Sequence, residues 1–199
     1  MTLVLEYPLG ATPLDNNELG GLKPKHITTQ GELNELEQAN IQTGIEWLFR
    51  QKSDVLTDEF AVKLHKQLFG EVWDWAGSFR KTGKNIDFVK PVQIPTELRM
   101  LIENARYWAD HKTYKPIEAA VRLHHRLVQI HPFPNGNGRH SRIFTDAVLK
   151  SVYQKEPIDW TAGQDLGKIG DRRQAYIHAL KAADGGDFEP LFAFVKFKR

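Results

Sequence analysis

The 199-residue chain has no cysteine and no long apolar run, and its charges nearly balance. Without cysteine it can form no disulfide, zinc–thiolate site or iron–sulfur cluster, and it has no cysteine nucleophile. No apolar stretch approaches the roughly 18–20 residues that cross a bilayer. A formal net charge of +2 is too small to indicate nucleic-acid or membrane-surface binding. Since the N-terminus also lacks a secretory pattern, we expect a soluble cytoplasmic protein with neither kind of partner.

What is present is the composition of an ordinary globular protein, 41% hydrophobic and 26% charged. A chain of this length can bury a core without covalent cross-links. Residues 1–27 are interrupted by proline, glycine and asparagine, which predicts an irregular N-terminal arm. Residues 28–199 show no repeat and no break in composition, which predicts a single domain.

The apolar spacing beyond the arm is helical almost throughout. Thr57 is a typical N-cap, and Pro95 and Pro116 suit the first turns of two further helices. Residues 78–94 differ, because apolar and polar positions alternate there around a glycine turn, as in a short hairpin or an extended flap. The sequence therefore predicts an all-α bundle with a short β-hairpin flap.

One segment carries the chemistry: residues 131–142 read HPFPNGNGRHSR. Its prolines end a helix at His131, and a new helix resumes at the second glycine. Both glycines can adopt positive φ, so successive N–H groups can form an anion nest at the new helix N-terminus. Arg139 and Arg142 lie one turn apart and can place both guanidinium groups over that nest. The segment predicts a polyphosphate site.

His131 lies at the mouth of this loop and is the nearby group that can act as a base near neutral pH. The adjacent His124-His125 pair fits no zinc spacing and is better interpreted as part of the core. Two other classes of function stay open at this point. One is a nucleotide-binding module without catalysis, and the other is an accessory protein of nucleic acid, against which the even charge argues.

The segment resembles the signature of the Fic domain proteins of the Fido superfamily, His-x-Phe-x-(Asp/Glu)-Gly-Asn-Gly-Arg-x-x-Arg. The matching residues are His131, Phe133, Gly136, Asn137, Gly138, Arg139 and Arg142. Upstream, Trp75-Ala76-Gly77 followed by Arg80 resembles the family's pattern ahead of its β-hairpin. The resemblance covers roughly residues 55–155, and the sequence of the segment is most similar to that of the bacterial subgroup labelled mobile mystery protein B. Such a mixture of residue types in twelve positions is far more specific than a glycine pattern.

The resemblance implies a helical Fic-type fold and a protein adenylyltransferase, which moves AMP from ATP to a Ser, Thr or Tyr hydroxyl of a target protein. His131 would be the general base, and Phe133 would anchor the loop in the core. The residues expected to hold the phosphates are Gly136, Asn137, Gly138, Arg139 and Arg142. The target is unknown, and self-modification and a homodimer stay open.

The flap would bind the target peptide as an added strand, a common use of an exposed strand edge. The residues expected at this docking site are Lys84, Asn85, Ile86, Asp87 and Phe88. Backbone pairing of this kind says little about the side chains of the target.

Asn135 stands where the family usually has the acid that binds Mg²⁺. An amide oxygen is a weaker ligand for a hard cation than a carboxylate. Three outcomes are open: Mg²⁺ binds mainly through the phosphates with help from Asn135, another metal such as Mn²⁺ or a slower reaction takes its place, or the reaction differs. The same substitution leaves open a non-catalytic or differently acting phosphate-binding module.

Many members of the family also carry an inhibitory helix whose glutamate pairs with the second arginine. Thr28 and Glu32 fit the first half of that pattern, but Leu33 follows where Gly or Asn is expected. Glu37 is the better-placed alternative, although its spacing puts a leucine where Ser or Thr is expected. The hypothesis is that Glu32 or Glu37 approaches Arg142, and the alternative is a solvated helix face.

Overall fold

The structure is a computed structural model that describes Leu5 and residues 12–86, 88–162, 166 and 170–197. The helices within these residues are α1 (Asn16–Gly20), α2 (Gln30–Phe49), α3 (Asp58–Phe69), α4 (Ile94–Asp110), α5 (Pro116–Ile130), α6 (Asn137–Ser151), α7 (Asp171–Asp184) and α8 (Glu189–Phe194). A 3-10 turn, Pro91–Gln93, leads into α4. The all-α class is confirmed, since the only β pairing in the described part of the chain is an isolated bridge between Leu22 and Trp73.

The helix ends follow local sequence signals. The Thr57 hydroxyl accepts a hydrogen bond from the Phe60 N–H at 3.0 Å and caps α3. Pro116 is the first residue of α5, where its missing N–H costs nothing. At the other end of α5, His131 adopts a left-handed conformation (φ 50°, ψ 60°), and the chain leaves the helix just before Pro132.

Two hydrophobic clusters hold the helices together, and α5 contributes to both. The larger lies among α2 to α6 and includes the fully buried Leu64, Leu98 and Leu127. The smaller lies among α5, α7 and α8 and includes Val121 and Tyr176. Because α5 is packed from both sides, its C-terminal end is a fixed platform for the residues that follow.

Two irregular segments differ from the sequence prediction. The described residues of the flap, 81–86 and 88–90, form an extended loop without a strand ladder, so the hairpin is not seen there. The arm is not wholly irregular, because α1 lies within it. Asp15 and Glu18 form a capping box that stabilises this short helix.

Within the described ranges, no helix combines the length and apolar character that a membrane span needs.

Candidate active site

The candidate site is built on residues 131–137, here called the active loop, which join α5 to α6. His131 is buried, and its Nε2 lies 2.9 Å from the Thr12 hydroxyl. Burial lowers the pKa of His131 to about 3, and the positive charges of Arg80 and Lys84 act in the same direction, against a backbone carbonyl that raises it. The imidazole is therefore neutral at neutral pH and keeps a lone pair to which a hydroxyl can donate, but as long as it is buried it is a weak base.

One face of the active loop, here called its underside, carries the Phe133 ring and packs against a second histidine. The Phe133 ring is fully buried and stacks on His65 with ring centroids 3.7 Å apart. His65 Nδ1 accepts the Gly77 N–H, and its Nε2 donates to the Asn135 carbonyl, both at 3.0 Å. Burial holds the pKa of His65 well below its usual range, so one neutral tautomer makes both bonds. The expected anchoring by Phe133 is visible, whereas sequence reasoning gave His65 no role.

Asn137 braces the loop with its side chain. Its Oδ1 accepts the Phe133 N–H at 2.9 Å, and its Nδ2 donates to the Phe133 carbonyl at 2.7 Å. The side chain is buried and both ends of its amide are used within the loop. Only the main chain of Asn137 therefore faces the expected phosphate site. His140, which the sequence left unassigned, bonds the Ala61 carbonyl at 2.8 Å from the same underside.

Gly136 marks the start of α6 and is required there for two reasons. Its φ of 76° is unfavourable for other residues, and a Cβ at this position would lie 2.7 Å from the Phe69 ring. No side chain of the described residues caps the α6 N-terminus. The first N–H groups of a helix have no intrahelical partner, so Gly138 and its neighbours present donors and the positive end of the helix dipole.

The two arginines of α6 contact different helices. Arg139 Nη1 lies 2.5 Å from Glu37 Oε2 on α2, and its guanidinium lies 4.9 Å from the centroid of the Phe69 ring. Arg142 lies 5.6 Å from the centroid of the Tyr176 ring on α7. Arg142 Nη1 also lies 3.5 Å from the position that a Cβ on Gly138 would take, over the first turn of α6. The expected arrangement, with both guanidiniums above one nest, stays a prediction.

Neither glutamate of the hypothesis pairs with Arg142, and an inhibitory role for either stays a prediction. Glu37 pairs with Arg139 rather than Arg142, and its other oxygen accepts the Trp73 indole N–H at 2.7 Å. Glu32 accepts the main-chain N–H groups of Thr28 and Thr29 and caps its own helix. These bonds lower the pKa of Glu32, which is exposed. Only Glu37 therefore reaches the residues of α6.

Asn135 is engaged on both sides of its amide. Its Oδ1 accepts the Gly136 N–H at 2.6 Å, and its Nδ2 donates to the Thr12 carbonyl at 3.0 Å. Among the described residues, no group of three His, Asp or Glu side chains could hold a metal ion. A single neutral oxygen that already accepts a hydrogen bond does not fit Mg²⁺, which usually takes one or two carboxylates.

A buried arginine ties the flap to the active loop. Arg80 Nε donates to the His131 carbonyl and Nη2 to the Val89 carbonyl, both at 2.6 Å, and Nη1 donates to the Thr82 carbonyl at 2.9 Å. The Arg80 N–H also donates to the Pro132 carbonyl at 2.9 Å. In the sequence, Arg80 was visible only as part of the family pattern.

The flap residues expected to dock a target have different surroundings. The Lys84 side chain is 4% exposed, pairs with Glu18 and donates to the Pro13 carbonyl at 3.1 Å. The side chains nearer the tip are half-buried or exposed; they are Asn85, Ile86 and Phe88. Asp87 lies outside the described residues. Residues of the arm therefore bind the Lys84 side chain at one edge of the flap.

Comparison with known proteins identifies relatives of this chain. Residues 55–149 match the Fic/DOC family. The chain is 31% identical over 150 residues to a protein adenylyltransferase Fic of Nematostella vectensis, which covers 73% of this chain and 33% of that protein. It is 30% identical over 149 residues to the Drosophila melanogaster protein of the same name, and this match covers 73% of this chain and 28% of that protein. The chain thus spans about a third or less of the length of these relatives.

Solved structures share the fold. The BepC protein of Bartonella tribocorum, a VirB-translocated effector crystallised with bound AMPPNP, matches with a TM-score of 0.68 and 18% identity, over 92% of this chain and 97% of that one. Fic-1 of C. elegans (residues 134–508) matches with a TM-score of 0.66 and 21% identity, and the match covers 90% of this chain and 51% of that one. The solved structures show the fold, and the match of residues 55–149 together with the named relatives shows that the chain carries a Fic domain.

Proposed function

We propose that this chain is a protein adenylyltransferase that transfers AMP from ATP to a Ser, Thr or Tyr hydroxyl of a target protein. The observation that carries the proposal is His131, a neutral base whose Nε2 holds a hydroxyl at 2.9 Å beside the N-terminus of α6. Curated relatives at about 30% identity are named for this activity, and BepC binds AMPPNP, an adenine nucleotide.

The chemistry follows from this placement. His131 Nε2 takes the proton of the acceptor hydroxyl, and the hydroxyl oxygen attacks the α-phosphorus of ATP. The bond from that phosphorus to the bridging oxygen breaks, and pyrophosphate leaves with the electron pair. The N–H groups of the first turn of α6 stabilise the negative charge that develops on the phosphoryl oxygens.

The two arginines differ in their readiness to bind phosphate. Arg142 contacts a neutral ring, since burial raises the pKa of Tyr176. Arg139 is paired with the carboxylate of Glu37. Arg139 therefore binds the outer phosphates only after this ion pair opens, and Glu37 limits nucleotide binding.

The expected Mg²⁺ or Mn²⁺ remains a prediction of the family resemblance. In the active loop, Asn135 offers it an amide oxygen that already accepts a hydrogen bond, and the described residues contain no group of three His, Asp or Glu side chains that could hold it. The residues of this chain supply the base, the N–H donors and the arginines.

A second candidate is a nucleotide-binding module that transfers nothing. The engaged amide of Asn135 favours it, because the carboxylate that usually holds the metal is missing. Binding of ATP without transfer would distinguish this function from the first.

The test is incubation with α-³²P-ATP in the presence of Mg²⁺ or Mn²⁺, with label on protein as the readout. We expect label on the wild-type protein or on proteins added with it. His131→Ala should reduce the label at least about 100-fold, as general-base catalysis contributes 10²–10⁴-fold. The matched control is His111→Ala, since His111 is exposed at the end of α4 and should leave the label unchanged.

Parallel incubation with γ-³²P-ATP separates AMP transfer from phosphate transfer. Label from the α but not the γ position identifies AMP. No label with either metal, also in a Glu37→Gly background that frees Arg139, contradicts the proposal. ATP binding measured by calorimetry in the same samples would then favour the second candidate.

A further inference from the structure

Residues 12–18 of the arm, here called the arm segment, lie between the flap and the active loop. On the flap side, Lys84 pairs with Glu18 and donates to the Pro13 carbonyl. On the loop side, the Asn135 amide donates to the Thr12 carbonyl at 3.0 Å. The arm segment is therefore held at both edges of the space that a target peptide would occupy between flap and base.

Within this segment, Thr12 is placed as a reacting group. Its hydroxyl lies 2.9 Å from His131 Nε2, within the 2.6–3.2 Å in which a base takes a proton. The side chain is buried, and 119 positions of sequence separate the two residues. With the ring proton on Nδ1, the Thr12 hydroxyl donates to Nε2, as an acceptor hydroxyl must before transfer.

Thr12 and a target hydroxyl cannot occupy this position together, because Nε2 has a single lone pair in the neutral ring. The base therefore has an acceptor supplied by its own chain. Both the hydroxyl and the carbonyl of Thr12 are fixed by residues of the active loop, which reduces the entropy cost of bringing acceptor and base together.

We propose that Thr12 is the site at which this chain modifies itself, with its hydroxyl as an intramolecular acceptor of AMP. The inference rests on the proposed function and assigns a residue to it. His131 takes the proton from Thr12 Oγ1, a new bond forms from Oγ1 to the α-phosphorus of ATP, and pyrophosphate leaves. The product is a threonine ester of AMP, which can no longer donate a hydrogen bond to His131.

The experiment labels the full chain with α-³²P-ATP and maps the modified peptide by mass spectrometry. We expect an added AMP group on Thr12 and at least a tenfold loss of self-label in Thr12→Val, which keeps the shape of the side chain but removes the hydroxyl. Thr12→Ser retains a hydroxyl and should retain label. The matched control is Thr43→Val, at an exposed threonine that bonds within its own helix.

Two further measurements test that the reaction is intramolecular. The labelled fraction per unit time should not change when the protein is diluted tenfold. His131→Ala protein mixed with wild type should stay unlabelled at Thr12, because its own base is absent.

The outcomes separate the inference from the proposed function. Label that depends on His131 but lies on other residues or on other proteins, with Thr12 unmodified, overturns the inference and supports the function. Equal self-label in Thr12→Val and wild type overturns it as well. Absence of label from every variant contradicts both.

Discussion

The two sides of the active loop are held in different ways. The underside is packed by buried rings and by hydrogen bonds with few alternatives: Phe133 on His65, the Asn137 amide on the Phe133 backbone, and His140 on α3. The upper side is covered by the arm segment through Thr12 and Lys84. The underside thus fixes the geometry of the site, while the upper side is closed by a cover that contacts the loop and the flap through polar groups and reaches the core through Leu14.

The two sides of the active loop should therefore respond differently to mutation. Removal of a buried aromatic ring lowers the free energy of unfolding by several kcal/mol, because its burial is lost and a cavity is left. The contacts above the loop are also buried, but they are polar, and their groups can form hydrogen bonds with water once the arm departs. Changes beneath the loop should therefore act on folding, and changes above it on the base and its acceptor.

The largest effect is expected from breaking the underside. Phe133→Ala should lower the free energy of unfolding by about 3–5 kcal/mol, because it removes a fully buried ring and its stacking contact with His65. Urea unfolding followed by circular dichroism measures this loss. Phe49→Ala is the control, since Phe49 is 67% exposed and should cost much less. Equal losses would show that the underside does not hold the loop.

Removing the upper cover should act on the base instead. In a chain that begins at Leu14, His131 loses the burial that is the first cause of its low pKa. The pKa should rise from about 3 toward its ordinary value of 6.5, with Arg80 still opposing the rise. NMR titration of the histidine ring protons measures this shift. His140 serves as internal control, because burial beneath the loop holds its pKa at about 4 with or without the arm.

The same variant alters the pH dependence of stability. In the intact chain, folded His131 stays neutral down to about pH 3, whereas the unfolded chain protonates near pH 6.5. The unfolded state therefore binds more protons in this window, and stability falls as the pH falls. Without Thr12 this contribution shrinks, so the truncated chain should lose less stability between pH 6.5 and pH 3. An unchanged slope would mean that the arm does not set the pKa of His131.

The smallest effect is expected beside the loop, where Glu37 holds Arg139. Glu37→Gln keeps an acceptor for the Trp73 indole but removes the charge that pairs with Arg139. ATP affinity should rise about tenfold, or about 1.4 kcal/mol, as the freed guanidinium binds phosphate. Calorimetric titration measures it against Glu35→Gln, an exposed change on the same helix. Equal affinities in the two variants would show that the ion pair does not limit nucleotide binding.

The sequence predicted the elements better than their contacts. Proline and capping residues determine helix ends locally, so the starts at Thr57 and Pro116 were visible. Glu32 lies on an exposed helix end, which agrees with the alternative of a solvated helix face, and it forms a capping box with Thr29 three residues before it. The hairpin was expected from alternation alone, but an extended loop held from outside can show the same alternation.

For the site as well, contiguous residues are easier to predict from the sequence than residues that meet only in the fold. The active loop was found because its residues are contiguous and their chemistry is specific. Thr12 and His65 could not be found, because they meet the loop from positions 119 and 70 residues away, and no local pattern records such a contact. Glu37 was named, but its partner depends on how α2 packs, which a spacing rule does not give.

Arg80 has a consequence for how a substrate enters. Its guanidinium joins the carbonyls of Thr82 and Val89, at the two ends of the flap, to the carbonyl of His131. The two ends are therefore anchored to the same point as the base, and a displacement of the whole flap would drag the base with it. Admission of a foreign polypeptide without disturbing His131 must then begin with departure of the arm segment, which frees Lys84 from Glu18 and from the Pro13 carbonyl.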